Sequence, residues 1–298
     1  MSTRSRWLII VSIFALIAIF FMPYASLQGA HAATSSLYTM SSFSNTSQTL
    51  YIYQSNDGLN FKMLGSGTVY TPPVGRLRDP SITHNAYDGR YYVAYTTSSA
   101  NAIGLASSAD LVHWKFVQNI VFASTVKTAW APEWFKDTDG SVNLIVHLRY
   151  SPAVSPTPYK ITALNNTWTS WTTPVALAGL TPDYIDSFVV KVGNIYNIFA
   201  KNDQATSKYI EHATATKLTG PYTFVGKGDW AGWGPKLEGP SLYQLDNGTW
   251  RILLDGYASK QYYYSDSTDG FKHWTAKKPL PDGLSGFVRH LTVLKETV

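Results

Sequence analysis

Beyond residue 33, short apolar runs with strand-like alternation are separated by turn residues, and no long stretch carries helical periodicity. RYYVAYTT follows Asp88-Gly89, SVNLIVHL follows Asp139-Gly140, and TWRILLDGY follows Asn247-Gly248. Asx-Gly ahead of a β-branched and aromatic run predicts a hairpin, with a type I′ turn whose two central residues both take φ > 0. A polar cluster closed by an aromatic residue ends at Phe61 (QSNDGLNF), Trp114 (SSADLVHW), Trp171 (NNTWTSW), Phe224 (KLTGPYTF) and Trp274 (DSTDGFKHW). The gaps are 53, 57, 53 and 50 residues. Five four-stranded units of about 50 residues predict an all-β fold, a five-bladed β-propeller. A two-sheet sandwich predicts no such even period.

A second series runs out of phase with the first: LRDPSI (Asp79), WAPEWF (Glu133), YIDSFVV (Asp186), LEGPSLY (Glu238) and VRHLTVL (His290), at gaps of 54, 53, 52 and 52. Each member places one ionisable residue just before or within an apolar strand. The first strand of every propeller blade lines the channel, so five equivalent positions are expected to converge on the axis. The chain ends complete the pattern. VRHLTVL is an inner strand with no blade after it, and SLYTMSS, TLYIYQS and FKMLGS are three outer strands with no inner one. Pairing them closes the ring and removes the exposed sheet edges.

Residues 1–33 have a different character. Arg4 and Arg6 precede the apolar run WLIIVSIFALIAIFFM, and AHA at 30–32 fits a small-residue cleavage site, so a signal peptide and a secreted, extracellular product are expected. A retained membrane anchor is the alternative. The propeller domain then spans 34–298. The net charge of +5 is scattered, with no basic run, which argues against a nucleic-acid partner. There is no cysteine, hence no disulfide framework and no thiolate metal site. Ten Trp, 20 Tyr and 13 Phe with only 14% charged residues suit a β-rich domain with an aromatic core. Asn45, Asn165 and Asn247 head glycosylation sequons, relevant only in a eukaryotic secretory pathway.

Converging carboxylates in an exported protein either bind a hard cation or serve as the acid and base of glycoside hydrolysis. A dense D-x-D-x-D ligand run is absent. Crowded like charges raise the pKa of one member, as a proton-donating carboxyl requires. Individually, Asp79 also reads as an Asp-Pro turn residue and Glu238 as an exposed turn carboxylate.

These motifs, in this order and spacing, resemble glycoside hydrolase family 43 over residues 36 to 298. The resemblance implies an inverting mechanism with Asp79 as general base, Glu238 as general acid, and Asp186 tuning and orienting the acid. It also implies that His290 sits at the channel centre, bound to water or to a calcium or sodium ion, with no cofactor required for the chemistry. Ser187 stands where many members have proline, and Leu291 where near relatives have glycine. Trp130 is a candidate for stacking on a sugar face, with core packing as the alternative. Lys201, Arg289 and His147 are candidate hydroxyl binders, each weighed against a surface role. Glu133 joins them as a hydrogen-bonding group rather than a catalyst, and Gly239 is expected to let the backbone approach substrate. The expected partner is a carbohydrate substrate acted on by a monomer free of the membrane once the signal is removed. Arabinofuranosides or xylosides come first, galactofuranosides or galactans next, and a non-catalytic glycan-binding propeller is the competing class.

Overall fold

Twenty strands and no helix make up the described part of the chain, which in this computed structural model comprises residues 35–204 and 208–297. The expected signal peptide lies outside the described residues. β1 (Ser36–Ser44), β2 (Tyr51–Ser55) and β3 (Lys62–Met63) are the outer strands of one blade. β4 (Arg78–Asn85), β5 (Arg90–Thr96), β6 (Ala102–Ser108) and β7 (Trp114–Val121) form the next. β8 (Thr128–Lys136), β9 (Val142–Arg149), β10 (Thr157–Thr162) and β11 (Val175–Ala176) follow. Then come β12 (Tyr184–Val192), β13 (Ile195–Asn202), β14 (Ile210–Ala215) and β15 (Thr223–Gly226). The fourth complete run is β16 (Glu238–Gln244), β17 (Trp250–Gly256), β18 (Gln261–Ser267) and β19 (Lys278–Pro279). β20 (Val288–Thr297) returns to pair antiparallel with β1, from Ser36 opposite Thr297 to Ser44 opposite Val288. The first blade is therefore built from both ends of the chain, as the terminal motifs predicted.

The inner strands β20, β4, β8, β12 and β16 touch one another in that order, and β16 touches β20. Five apolar cores fill the spaces between neighbouring blades. Tyr92 and Leu105 meet Trp134 and Val146; Phe135 and Ile145 meet Val189 and Ile198; Phe188 and Phe199 meet Leu242 and Ile252. Tyr243 and Leu253 meet Met40 and Tyr53, and Ile52 meets Val93. Each blade thus buries both faces, which explains why its middle strands read as near-continuous apolar runs. Most of the aromatic residues lie in these cores.

The hairpin turns differ from the type I′ expectation. Only the glycines Gly89, Gly140 and Gly248 have positive φ (66°, 86° and 85°). Asp88, Asp139 and Asn247 instead use their side chains to accept the N–H two residues on, from Arg90 (3.0 Å), Ser141 (2.8 Å) and Thr249 (3.0 Å). These are longer loops closed by an Asx contact and one left-handed glycine. The other repeat has the same kind of cause. Asp57, Asp110 and Asp269 each accept a serine hydroxyl two residues back and backbone N–H groups ahead, which turns the chain into the last strand of its blade.

Deleting residues 288–298 should abolish cooperative folding, because β20 is an inner strand with cores on both sides. The loss should exceed the ~5–15 kcal/mol that stabilises a typical domain. Thermal melting monitored by near-UV circular dichroism tests this. A soluble truncation with a sharp transition would contradict the ring closure.

Candidate active site

In every blade the ladder between first and second strand slips at one place, and the slip passes over two residues. These are Asp79-Pro80, Ala131-Pro132, Asp186-Ser187, Gly239-Pro240 and His290-Leu291. The leading residue of each pair is left-handed, at φ of 49°, 44°, 51°, 51° and 25°. Such backbone costs on the order of 1–3 kcal/mol per non-glycine residue and is found where surrounding structure over-determines it. Proline suits the second place because it has no N–H to leave unpaired. Where proline is missing, a side chain replaces it: Ser187 N–H donates to His147 Nε2 (3.0 Å) and Leu291 N–H to the Tyr262 hydroxyl (3.0 Å). Ser187 in place of the family's proline is thereby accommodated, and the Leu291 side chain is taken up in the apolar core beside Tyr262 and Val288.

The five axial residues are not one ring of equivalents. Asp79, Asp186 and His290 occupy the kink, Glu238 precedes it by one residue, and Glu133 follows it by two. The offset sets depth. The Glu238 side chain is 17% exposed at the cleft, whereas that of Glu133 is 3% exposed beneath it. There Glu133 accepts hydrogen bonds from Ser81 (2.7 Å) and Thr292 (2.9 Å), which hold the same place in their own strands.

A second set of residues supports the kinks. Thr96, His147, Lys201 and Asp255 sit on second strands, opposite the residue before the kink in the same blade. Each reaches into the next blade. Thr96 Oγ1 accepts from Ala131 N–H (2.8 Å), His147 from Ser187, and Asp255 from His290 N–H (3.0 Å). Lys201 Nζ donates to Glu238 Oε2 (2.8 Å). His147 is therefore not a hydroxyl binder; it is fully buried and holds backbone. Burial keeps it neutral, with its pKa lowered to about 4. Asp255 and Thr96 were not anticipated, although Thr96, His147, Lys201 and Asp255 end the runs VAYT, LIVH, IFAK and ILLD at intervals of 51, 54 and 54.

Asp79, Asp186, Glu238 and His290 open into one cleft of about 350 Å³, whose walls include Trp130 and Lys201. His290 Nδ1 lies 3.3 Å from Asp79 and 4.0 Å from Asp186, and Nε2 lies 3.8 Å from Glu133. Burial opposes the imidazolium, but Asp186 and Asp79 outweigh it and hold the ring protonated. Burial likewise pushes Asp79 upward, yet the His290 charge and hydrogen bond bring it down to about 2. Asp186 goes the other way. Burial raises it to about 6, opposed by His290 and Lys201 and assisted by Glu238 and Asp79. Lys201 stays charged despite burial because Asp186 and Glu238 face it.

Glu238 is clamped on both oxygens, by Lys201 and by Arg289 Nη2 at 2.9 Å, while Arg289 Nε binds Asp255 at 2.7 Å. Of the expected substrate contacts, Trp130 and Lys201 line the cleft. Glu133 and His147 lie beneath it, and Arg289 is engaged by carboxylates. Gly239 does not admit substrate; a Cβ there would lie 2.8 Å from the His290 ring. At the place of the expected axial ion, both ring nitrogens of His290 face carboxylates. Among the described residues no group of three or more His, Asp or Glu side chains is arranged to hold a metal.

A closed five-bladed ring with carboxyls of opposed protonation in one axial cleft defines a propeller of the glycoside hydrolase class. Residues 34–297 match the family-43-related profile described as "Probable glycosyl hydrolase domain", and the chain belongs to that family. A comparison with curated protein sequences returns no match. Among solved structures, a thermostable family-43 glycoside hydrolase superposes with a TM-score of 0.64 at 13% identity, covering 83% of this chain and 90% of the other. An endo-1,4-β-xylanase from Bacteroides thetaiotaomicron gives 0.60 at 14% identity, covering 86% and 93%. An α-L-arabinanase from Cellvibrio cellulosa, complexed with arabinohexaose, gives 0.56 at 18%, covering 83% and 92%. At these identities the likeness is one of fold.

Gly239→Ala should destabilise the protein by about 2–4 kcal/mol through a left-handed alanine pressed on His290. A melting temperature within a degree of the parent would refute the close approach. His147 supplies a pH test. The unfolded chain protonates it near 6.5 and the folded chain only near 4, so the stability from neutral His147 is full above 6.5 and is lost as pH falls toward 4. The deficit of His147→Gln measured by urea unfolding should therefore be largest at pH 7 and shrink by pH 4.5. A deficit constant across that range would mean that His147 is not buried neutral.

Proposed function

We propose that the chain is a secreted inverting glycoside hydrolase acting on arabinofuranosyl- or xylosyl-containing polysaccharides or oligosaccharides. The observation that carries the catalytic reading is the divergence of two carboxyls in one cleft, Asp79 held ionised by His290 and Asp186 raised to about 6 by burial. Asp79 takes a proton from water as the water oxygen bonds to the anomeric carbon. A carboxyl opposite gives its proton to the departing glycosidic oxygen, so the sugar leaves with inverted configuration. Trp130, 38% exposed and lining the cleft, supplies a platform for a sugar face. The basic and apolar opening of the sequence supports export. The shared fold with a xylanase and an arabinanase supports the two sugar classes.

Glu238 is the proton donor in this proposal, and its two cationic neighbours set a condition on it. Lys201 and Arg289 occupy both of its oxygens, while Asp186 in the same cleft is the carboxyl that burial raises to about 6. The same clamp favours a second reading in which Asp186 itself donates.

Leaving groups separate these roles, because an acid matters in proportion to how badly the leaving group needs a proton. Glu238→Ala should lose roughly 10²–10⁴-fold in kcat/KM on natural glycosides and much less on a dinitrophenyl glycoside. Asp79→Ala should suffer equally on both. Asp186→Asn should follow the Glu238 pattern and move the basic limb of the pH profile. If Asp186→Asn showed the leaving-group dependence and Glu238→Ala lost the same factor on both substrates, Asp186 would be the donor. Turnover of no member of a panel of aryl arabinofuranosides, xylosides and galactosides would favour a binding module.

A further inference from the structure

One wall of the cleft carries two arginines that form no ion pair among the described residues. Lys201 is matched to Glu238, Lys208 to Asp203 (2.6 Å), and His290 to Asp79. Arg76 and Arg78 also line the cleft, and among the described residues neither has an ion-pair partner or a side-chain hydrogen bond. Arg76 lies in the loop just ahead of β4 and Arg78 at the first residue of that strand, with Leu77 between them fully buried, and both arginines reach the cleft. Arg78 is held in place, with its guanidinium carbon 5.4 Å from the centre of the Phe43 ring. Its Nε is buried and has no acceptor. Leaving a charged donor unsatisfied is costly, so a native structure that does so asks for a ligand.

We propose that this wall recognises a carboxylate on the glycan, so that the preferred substrate is a uronosyl-containing oligosaccharide with its acidic group on Arg76 and Arg78. This rests on the glycosidase reading of the cleft. A sugar hydroxyl could accept one of these hydrogen bonds but would leave the charge uncompensated. A carboxylate matches the planar guanidinium fork with two parallel bonds and cancels its charge. The placement also bears on the chemistry. Arg78 is one of the groups that lower Asp79, and a substrate carboxylate on Arg78 would make Asp79 a stronger base.

The test is titration calorimetry with uronosyl-branched xylo-, arabino- and galacto-oligosaccharides, each against its carboxyl-reduced form, in which CH2OH replaces the carboxylate. The parent should bind at least one acidic form roughly tenfold or more tighter than its reduced partner. Arg78→Gln should shrink that ratio, and so should Arg76→Gln, whose exposed position makes loss of folding no explanation. Equal affinity for acidic and reduced forms, no binding of any acidic form, or an unchanged ratio in the Arg76 variant would overturn the proposal. So would a sulfated neutral oligosaccharide that binds as tightly as the uronosyl one. Turnover is scored separately on the same pairs. Tight acidic binding with no hydrolysis would sink the hydrolase reading and keep the carboxylate site, whereas equal kcat/KM on both forms would do the reverse.

Discussion

The positive charge on His290 is what allows the axial end of this ring to exist. Asp79, Asp186 and Glu133 are brought within 3.3 to 4.0 Å of one imidazole, out of water, where like charges repel strongly. Burial pushes all three carboxyls upward, and the His290 charge opposes that push at each of them. The other local features follow from placing that ring. Gly239 has no side chain because the imidazole occupies the space, and Asp255 anchors the His290 backbone while also binding Arg289.

Around that centre, each blade completes the next. A second-strand side chain from one blade satisfies the kinked inner strand of its neighbour, through Thr96, His147, Lys201 and Asp255. The left-handed residues at the kinks, unfavourable in isolation, are held by contacts that cross a blade boundary. In three of these cases the contact is structural; in the fourth, Lys201, it lands on the Glu238 side chain. One architectural position thus reaches a cleft side chain in one blade while holding backbone in the others.

The period of the turns was legible because Asx-Gly and Ser-x-Asp act within a few residues, and the blade count followed. Ring closure was legible because unpaired inner and outer strands stood at opposite ends of the sequence. The turn type was not, since Asp88 and Asn247 cap backbone with their side chains rather than adopt positive φ themselves. Depth at the axis was also hidden. A two-residue slip decides whether Glu133 faces the cleft or lies beneath it, and the slip depends on pairing between strands. Asp255 was disguised by Gly256, which makes ILLDGY look like another turn when it is the end of a strand. His147 read as a binder because an isolated histidine closing an apolar run does not reveal which strand it supports.

The seam between β1 and β20 joins Ser42 to Arg289 across 247 residues. A chain emerging residue by residue therefore pairs β1 with β2 early and must keep the other edge of β1 open until nearly everything else has been synthesised. During that interval the incomplete ring has an open flank at each end, the kind of edge that invites pairing with another chain. Its imidazole arrives with the last strand, so the acidic cluster stays uncompensated until closure. Closing the wall and assembling the axial cluster are thus one event in the life of the molecule.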